Sequence, residues 1–445
     1  MSCVDERVVA MSAILLGVAA AILDVSMVNV ALPRIAFQLN VAAADSIFIV
    51  NAYQISMVAS LLVFSALGDA IGYKVIYILG SILFAASSLA CSIATSFDHL
   101  VLIRAIQGLG GSAMTAVNIA IIRSIYPAHQ FGKAIGFSAL VVALSFCAGP
   151  LISSIILSYG SWSLIFFLNF MIGTVVFIMT AAFLPNDHRK DSVAIPWLDF
   201  FIVVAGLFLI AFSLAALGLS GYGNARFIAG GASFAIGLTI ILFNSKSFRK
   251  FLPHPYSKGK FLTAIFITTL GYMAQGSALI SLPFFFSLAY AENLPKTVTA
   301  LVFWALFSGI AAYFSGRASD KWNSVHLLVG GLFFMFVGIA LLAISGAGGA
   351  VWLACLCAAV AGTGFGIFQT PNLKLILSYS PVQESGRSNG VLATLRLLGQ
   401  MAGGVIAAGS LSLSAEQGAH WALIASALCA FSAFALANMQ RAREL

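Results

Sequence analysis

Charge is what this chain has least of. Its 445 residues include only 14 Asp and Glu and 22 Lys and Arg, 8% of the whole. A water-soluble domain carries about 25% charged residues, because its surface must be hydrated. The charges here cannot cover a soluble particle of this length. Soluble enzymes, disordered chains and nucleic-acid binders are excluded, and no enzymatic activity is expected. Cysteine is scarce too. The six cysteines form no Cys-x-x-Cys motif or Cys/His cluster, so neither a metal site nor a disulfide scaffold is indicated. No Gly-x-x-x-x-Gly-Lys-Ser/Thr loop is present, which removes direct ATP drive, and no Asn-x-Ser/Thr sequon marks an outer loop.

What the chain has instead is apolar length. Hydrophobic residues make up 61%, with 37 Phe and 40 Gly. A bilayer core of about 30 Å takes roughly 20 apolar helical residues to cross. Runs bounded by charge, Pro or Gly predict spans near 9–32, 46–67, 75–95, 99–122, 134–157, 163–184, 198–219, 227–243, 261–288, 298–316, 325–344, 350–377, 388–413 and 418–438. The first run is too long for a signal-peptide core and is followed by no small-residue cleavage pattern, so it is expected to remain as a span.

Fourteen spans put both termini on one side, and the basic residues say which. Lys and Arg concentrate in cytoplasmic segments. With the N-terminus inside, the inner segments hold seventeen, among them Arg7, Lys74, Arg123, Lys133, Lys374 and Arg387, and the outer loops only Arg34, Arg226 and Lys296. Both termini are therefore expected in the cytoplasm, the membrane being a bacterial inner membrane. The remaining two cations, Arg104 and Arg396, fall inside spans.

The chain also repeats itself. SALGDAIGYK after the second span has an echo in SGRASDKWN, which places Asp69 and Asp320 251 residues apart. Gly108 and Gly110 of QGLGGSAM are echoed by Gly362 and Gly364 of AGTGFGIF at an offset of 254. Two features sharing nearly one offset argue for a duplicated six-span unit, with 198–243 inserted between the copies. Paired helix bundles with a substrate site between them at mid-membrane are a transporter plan.

The motifs resemble one family. LDVSMVNVALP in span 1 resembles the signature of the fourteen-span drug:proton antiporters of the major facilitator superfamily. LIRAIQGLGGSAM, Gly149-Pro150, and Gly68-Asp69 through Gly72-Tyr73-Lys74 resemble three further motifs of that superfamily. The pattern departs at Ser65, Ala70 and Tyr73 of the loop motif and at Ser153 and Ser154, where the antiporter motif has glycines. The resemblance implies an all-α major facilitator fold, with a six-helix bundle in 1–190, an inserted pair and basic linker in 191–250, and a second bundle in 251–445. It implies proton-coupled export of lipophilic, often cationic toxic compounds by alternating access. No cofactor is needed beyond the proton gradient, and the chain is expected to act as a monomer. It gives Arg104 a part in proton coupling, and gives Asp69, Lys74, Gly149, Pro150, Arg317 and Asp320 a part in conformational gating.

Asp24 is the acid placed deepest in a span. Burial disfavours the charged form of a carboxylate and a neighbouring cation favours it. An acid balanced between the two is one that a conformational change can load or unload, so Asp24 is the candidate proton carrier. An ionised Asp at mid-membrane costs about 2.5–3.5 kcal/mol even on lenient insertion scales, so it must face a partner or a cavity. Arg104 lies at nearly the same depth and stays charged at any physiological pH. It can tune Asp24 but cannot carry the proton.

The candidate substrate cavity draws on Asn29, Gln54, Asn118, Gln275, Gln369, Arg396 and Trp304, with Asn169, Tyr272, Phe284, Phe285 and Phe286 as further polar or aromatic candidates. Arg396 is expected to meet Gln369 or Gln400. Two buried arginines against one acid leave room for a rival reading, a narrow exporter or proton symporter for a single anionic metabolite anchored by Arg396. A non-transporting membrane sensor is a third reading, and the short tails give it little to bind partners with.

Overall fold

A segment in hydrocarbon must satisfy its own backbone N–H and C=O groups, and an α-helix does so within one stretch of chain. The computed structural model obeys that constraint, containing helices and no strand among the described residues. It describes residues 3–41, 46, 48–185, 197–218, 223–289, 294–345, 351–381, 384–414 and 417–442.

In chain order the helices are α1 (Cys3–Gln38), α2 (Phe48–Ile71), α3 (Tyr73–Ser92), α4 (Phe97–Ile125), α5 (Ala128–Tyr159) and α6 (Ser163–Phe183). Then come α7 (Trp197–Gly218), α8 (Gly223–Phe243) and the short α9 (Ser245–Phe251). The last six are α10 (Lys258–Ala289), α11 (Leu294–Ser319), α12 (Ser324–Ser345), α13 (Val351–Ser378), α14 (Ser385–Leu413) and α15 (Gly418–Ala442). Thirteen are long and apolar enough to cross a membrane; α8 joins them as a fourteenth only together with α9, from which it is bent by 80°. The helices outrun the predicted spans, α1 continuing to Gln38 where charge and Pro suggested a stop near residue 32. Hydrophobicity marks where oil ends, whereas backbone hydrogen bonding carries a helix on into the polar interface.

The duplication is visible in the packing. Among the first six helices, α1 packs on α5 and α6, α2 on α4, and α3 on α4 and α6. The last six repeat this, with α10 on α14 and α15, α11 on α13, and α12 on α13 and α15. The glycines that carried the echo are the crossing points. A Cβ on Gly108 would lie 2.4 Å from the Tyr53 carbonyl oxygen of α2, and a Cβ on Gly362 would lie 2.3 Å from the Trp304 carbonyl oxygen of α11. Tyr53 and Trp304 are themselves 251 residues apart. Close backbone approach of this kind requires glycine.

Two reciprocal contacts join the sets, α5 against α11 and α14 against α2. The pair α7–α8 packs outside them, with Ala211 and Ala215 of α7 against Ile55 and Val58 of α2 and α14 nearby. Asp199 in the first turn of α7 pairs with Lys250 and accepts from Ser247 at 2.5 Å, tying α9 beneath the pair. The expected domain boundary at 190/191 lies outside the described residues, and the one at 250/251 falls inside α9.

Candidate proton-coupling and gating sites

Asp24 and Arg104 meet. Arg104 Nη1 donates to Asp24 Oδ2 at 2.6 Å, and neither side chain has exposed surface. Asp24 Oδ1 accepts from Asn169 Nδ2 of α6 at 2.7 Å and from Gln107 Nε2 of α4 at 3.2 Å. Every described hydrogen bond to the carboxylate comes from a donor. Gln107 is itself held, accepting from Arg104 Nη1 at 2.6 Å and donating to Ser88 of α3 at 2.8 Å. Arg104 also donates through Nε to the Ile49 carbonyl of α2 at 3.2 Å, and its guanidinium lies 4.5 Å from the Tyr53 ring centroid. Five helices thus converge on one carboxylate. Three buried polar atoms around it have no hydrogen-bond partner among the described residues: Arg104 Nη2, Asn169 Oδ1 and the Tyr53 hydroxyl.

Next to Asp24 on α1, the antiporter motif makes its crossing. A Cβ on Gly149 of α5 would lie 2.4 Å from Ser26 Oγ, so α5 presses directly on α1. Ser153, where the family pattern has glycine, donates to the Met27 carbonyl at 3.0 Å. The departure from the motif is thus a polar tie between α5 and α1. The side chains of Pro150 and Ser154 lie outside the described residues.

At the end of the bundle that carries the basic loops, two acids accept backbone N–H groups across the two halves. Asp69 Oδ1 and Oδ2 accept from the backbone N–H groups of Gly386 and Arg387, each at 3.0 Å, in the first turn of α14. There the carboxylate also meets the positive end of the helix dipole. Asp320 Oδ1 and Oδ2 accept from the N–H groups of Gly132 and Lys133 at 3.0 and 3.1 Å, in the second turn of α5. Asp320 pairs in addition with Lys374 Nζ at 2.9 Å. Beside them α5 and α11 touch backbone to backbone, a Cβ on Gly316 falling 2.2 Å from the Gly132 carbonyl oxygen. Arg123 donates to Ser385 at 2.9 Å and Asn389 donates to the Ala116 carbonyl at 2.6 Å. The halves are closed against each other at this end.

The other gating candidates go elsewhere. Lys74 turns away from Asp69 and donates to the Leu184 carbonyl at 2.6 Å, bracing α3 to α6. Arg317 is exposed and donates to Tyr313 on its own helix at 3.3 Å. Asp69 instead has the Tyr73 hydroxyl at 2.7 Å, the residue that replaces a usual arginine of the motif.

The cavity candidates divide. Asn118 and Gln275 are buried, Gln54, Gln369 and Arg396 half-buried, and Asn29 exposed. Gln400 donates to Gln275 at 2.9 Å, and Arg396 lies beside the Tyr272 hydroxyl. Tyr272 packs edge-on against Phe365 and Phe368 of α13. Trp304 is only 2% exposed and belongs to the core of the second half, and Phe285 stacks on His420. The side chains of Phe284 and Phe286 lie outside the described residues. Asn169 serves Asp24 rather than a ligand.

The sequence missed Gln107, Ser88 and Tyr53 as parts of the Asp24 cluster, and Lys374 and Arg387 as the cations beside Asp320 and Asp69. Gln107 had a signal, lying three residues after Arg104 on one helix face. The two cations gave none beyond their count toward topology. The linker was missed as well. Glu384 accepts from the His254 N–H at 2.7 Å and lies 2.8 Å from its imidazole, while Arg387 Nη1 donates to the same carboxylate at 3.3 Å. Burial alone would raise Glu384, but the bonds from His254 and the nearby Arg387 hold it below the ordinary carboxylate range.

Repeated helix sets that meet across one end are the architecture of a secondary transporter. Comparison with known proteins gives the particular family. The sequence profile described as Major Facilitator Superfamily matches residues 14–404, and the chain belongs to that superfamily of transporters. It is 34% identical to "Uncharacterized transporter YebQ" of Escherichia coli K12, over 98% of this chain and 96% of that protein. It is 30% identical to "Riboflavin transporter RibZ" of Clostridioides difficile 630, over 86% of this chain and 84% of that one. The solved structure of the human organic anion transporter MFSD10 (TETRAN) matches with a TM-score of 0.70 at 14% identity, covering 97% of this chain and 99% of that one, a likeness of fold.

Proposed function

We propose that this transporter is a proton-coupled exporter of small organic molecules, with Asp24 as the proton carrier. The observation that carries the reading is a carboxylate without exposed surface, whose described hydrogen bonds come from Arg104, Gln107 and Asn169. A proton on that carboxylate would weaken the contacts that hold it.

With the basic loops in the cytoplasm, the closed end is the cytoplasmic gate, and this conformation awaits a proton from outside. A proton on Asp24 weakens its pairing with Arg104 and needs an acceptor. Asn169 Oδ1 has no partner among the described residues, and turning that amide over would present it to the new O–H. Weakening the cluster loosens the joint of α1, α2, α4 and α6, and the bundles rock until the gate opens inward. Substrate enters, the proton leaves to the cytoplasm, and the recharged Asp24 recovers its donors as the outward-open form returns. In this reading residues 1–190 and 251–445 are the rocking bundles, and 191–250 is an inserted pair with its linker. The motif resemblance supports lipophilic toxic compounds as the broad ligand class.

The test is proton counterflow. Proteoliposomes loaded with a pH-reporting dye and given an outward-directed pulse of a xanthene dye or fluoroquinolone should show proton movement opposite to the substrate. One pH unit, about 1.4 kcal/mol, sustains about a tenfold substrate gradient for one-for-one exchange. Asp24→Asn should abolish gradient-driven accumulation while leaving downhill exchange. Accumulation by that variant equal to wild type would eliminate the assignment.

A further inference from the structure

We infer that the substrate carries an acidic group, received by Arg396 beside the Tyr272 hydroxyl; this rests on the exporter reading above and names the chemistry of its ligand.

The argument is a charge inventory. Arg396 stands eleven residues into α14 from Ser385, roughly 16 Å along the axis at 1.5 Å per residue. That is mid-bilayer, where a guanidinium facing lipid is strongly disfavoured and intramembrane cations mark pathways or partners. Arginine does not lose its charge there. Yet Arg396 forms no ion pair with any described residue, and its polar neighbour is Tyr272. Gln400, one turn further along α14, is committed to Gln275.

Among the described residues no acid is left to serve it. Asp24 is held by Arg104, Gln107 and Asn169. Asp69 and Asp320 accept backbone N–H groups of α14 and α5 at the basic-loop end. The other described acids, Asp5, Glu6, Asp98, Asp199 and Glu384, lie in the first turns of helices or at a helix N-cap. The repeat makes the same point, since Gln275 stands 251 residues after Asp24, so the second half carries an amide where the first carries a carboxylate. A carboxylate arriving with the ligand matches a guanidinium fork and a hydroxyl donor side by side. A lipophilic cation would find the Asp24 charge already neutralised and Arg396 opposing it.

The flanking residues fit an apolar frame on the acid. Tyr272 is backed edge-on by Phe365 at 5.5 Å and Phe368 at 5.8 Å, and Leu395 and Leu397 pack into the core on either side of Arg396. Asp24 and Arg396 sit in opposite halves without a shared partner, so coupling between proton and acid passes through the rocking of the bundles. Exchanging an exported monoanion for an entering proton moves two charges, each in the direction an inside-negative potential favours.

The experiment is equilibrium binding to the full-length protein in lipid nanodiscs, with fluorescein, rhodamine 110 and rhodamine 123 as probes. The first two keep a free benzoate on a common ring frame, and the third carries it as an ester. Binding of the free acids at least tenfold tighter than the ester, with that preference erased in Arg396→Gln and partly kept in Arg396→Lys, is the expected result. The lysine variant also reports whether position 396 tolerates change. Equal or tighter binding of rhodamine 123, a preference that survives Arg396→Gln, or absence of binding by both acids overturns the inference. No gradient is used, so a failure of proton coupling registers only in the counterflow assay and leaves this result readable.

Discussion

Asp69 of α2 accepts the backbone N–H of Gly386 in α14 at 3.0 Å, across 317 residues of chain. Its repeat counterpart Asp320 does the same for Gly132 of α5, also at 3.0 Å. The basic-loop end is therefore held by an acid from each bundle accepting backbone N–H groups of the other, Asp69 at the first turn of α14 and Asp320 one turn into α5. A carboxylate at a helix N-terminus, as Asp69 is, contributes about 0.3–2 kcal/mol.

Replacing either acid with asparagine keeps an acceptor and removes the charge. Asp69→Asn should weaken the closed state by about 1 kcal/mol, roughly a fivefold shift in its population, and Asp320→Asn should weaken it through loss of the ion pair with Lys374. Maleimide labelling of a cysteine placed at the buried Ser388 reports the opening. Labelling rates unchanged in both variants would show that the two acids do not hold the gate.

Gly316 permits the contact the two acids secure. A methyl group there would fall 2.2 Å from the Gly132 carbonyl oxygen, so Gly316→Ala should force α5 and α11 apart and depopulate the closed form. Spin labels at the exposed Lys133 and Lys321 should then show a longer distance distribution than in wild type. An identical distribution would mean that the helices slide rather than part.

Asp24 and Arg104 are a buried pair, and breaking one differs from replacing both. Asp24→Asn leaves the guanidinium buried and uncompensated, which typically costs about 3–5 kcal/mol. Thermal unfolding in detergent should show a marked loss of stability for this variant. The double variant Asp24→Asn/Arg104→Gln should recover most of that loss without recovering proton coupling. A double variant no more stable than the single one would mean that Arg104 stabilises the fold through Ile49 and Tyr53, independently of Asp24.

The linker should respond to acid. His254 and Arg387 hold the Glu384 carboxyl below its ordinary range, so the folded protein binds that proton less readily than the unfolded chain. The contribution is complete above the unfolded carboxylate value of about 4.3 and is lost as pH falls through the lower folded value. The melting-temperature difference between wild type and Glu384→Gln should be constant above about pH 5 and shrink below it. A difference that grows on acidification would reverse the sign and remove the latch.

Much of the site was legible as residue identity and little of it as contact. Asp24 and Arg104 stood out because charge in oil is costly, and matching depths suggested their meeting. The motif resemblance gives Lys74 and Arg317 a part in gating alongside Asp69 and Asp320, their neighbours in sequence. The structure gives Lys74 to Leu184 and Arg317 to Tyr313, and brings in Lys374 and Arg387 from distant helices. Trp304, an aromatic cavity candidate, is a core residue because Gly362 lets α13 press against its backbone.

The sequence by itself determined that the chain is a bundle of membrane helices built twice, since hydrocarbon demands long apolar helices and an ancestral repeat leaves its offset in Asp69/Asp320 and Gly108/Gly362. It also determined which charges are buried. Only the tertiary structure decided which of them neutralise one another. A linear pattern gives the depth and face of a side chain, but a hydrogen bond needs helices separated by scores of residues to meet within 3 Å, and those crossings are set by backbone approach at glycines whose partners the sequence does not name.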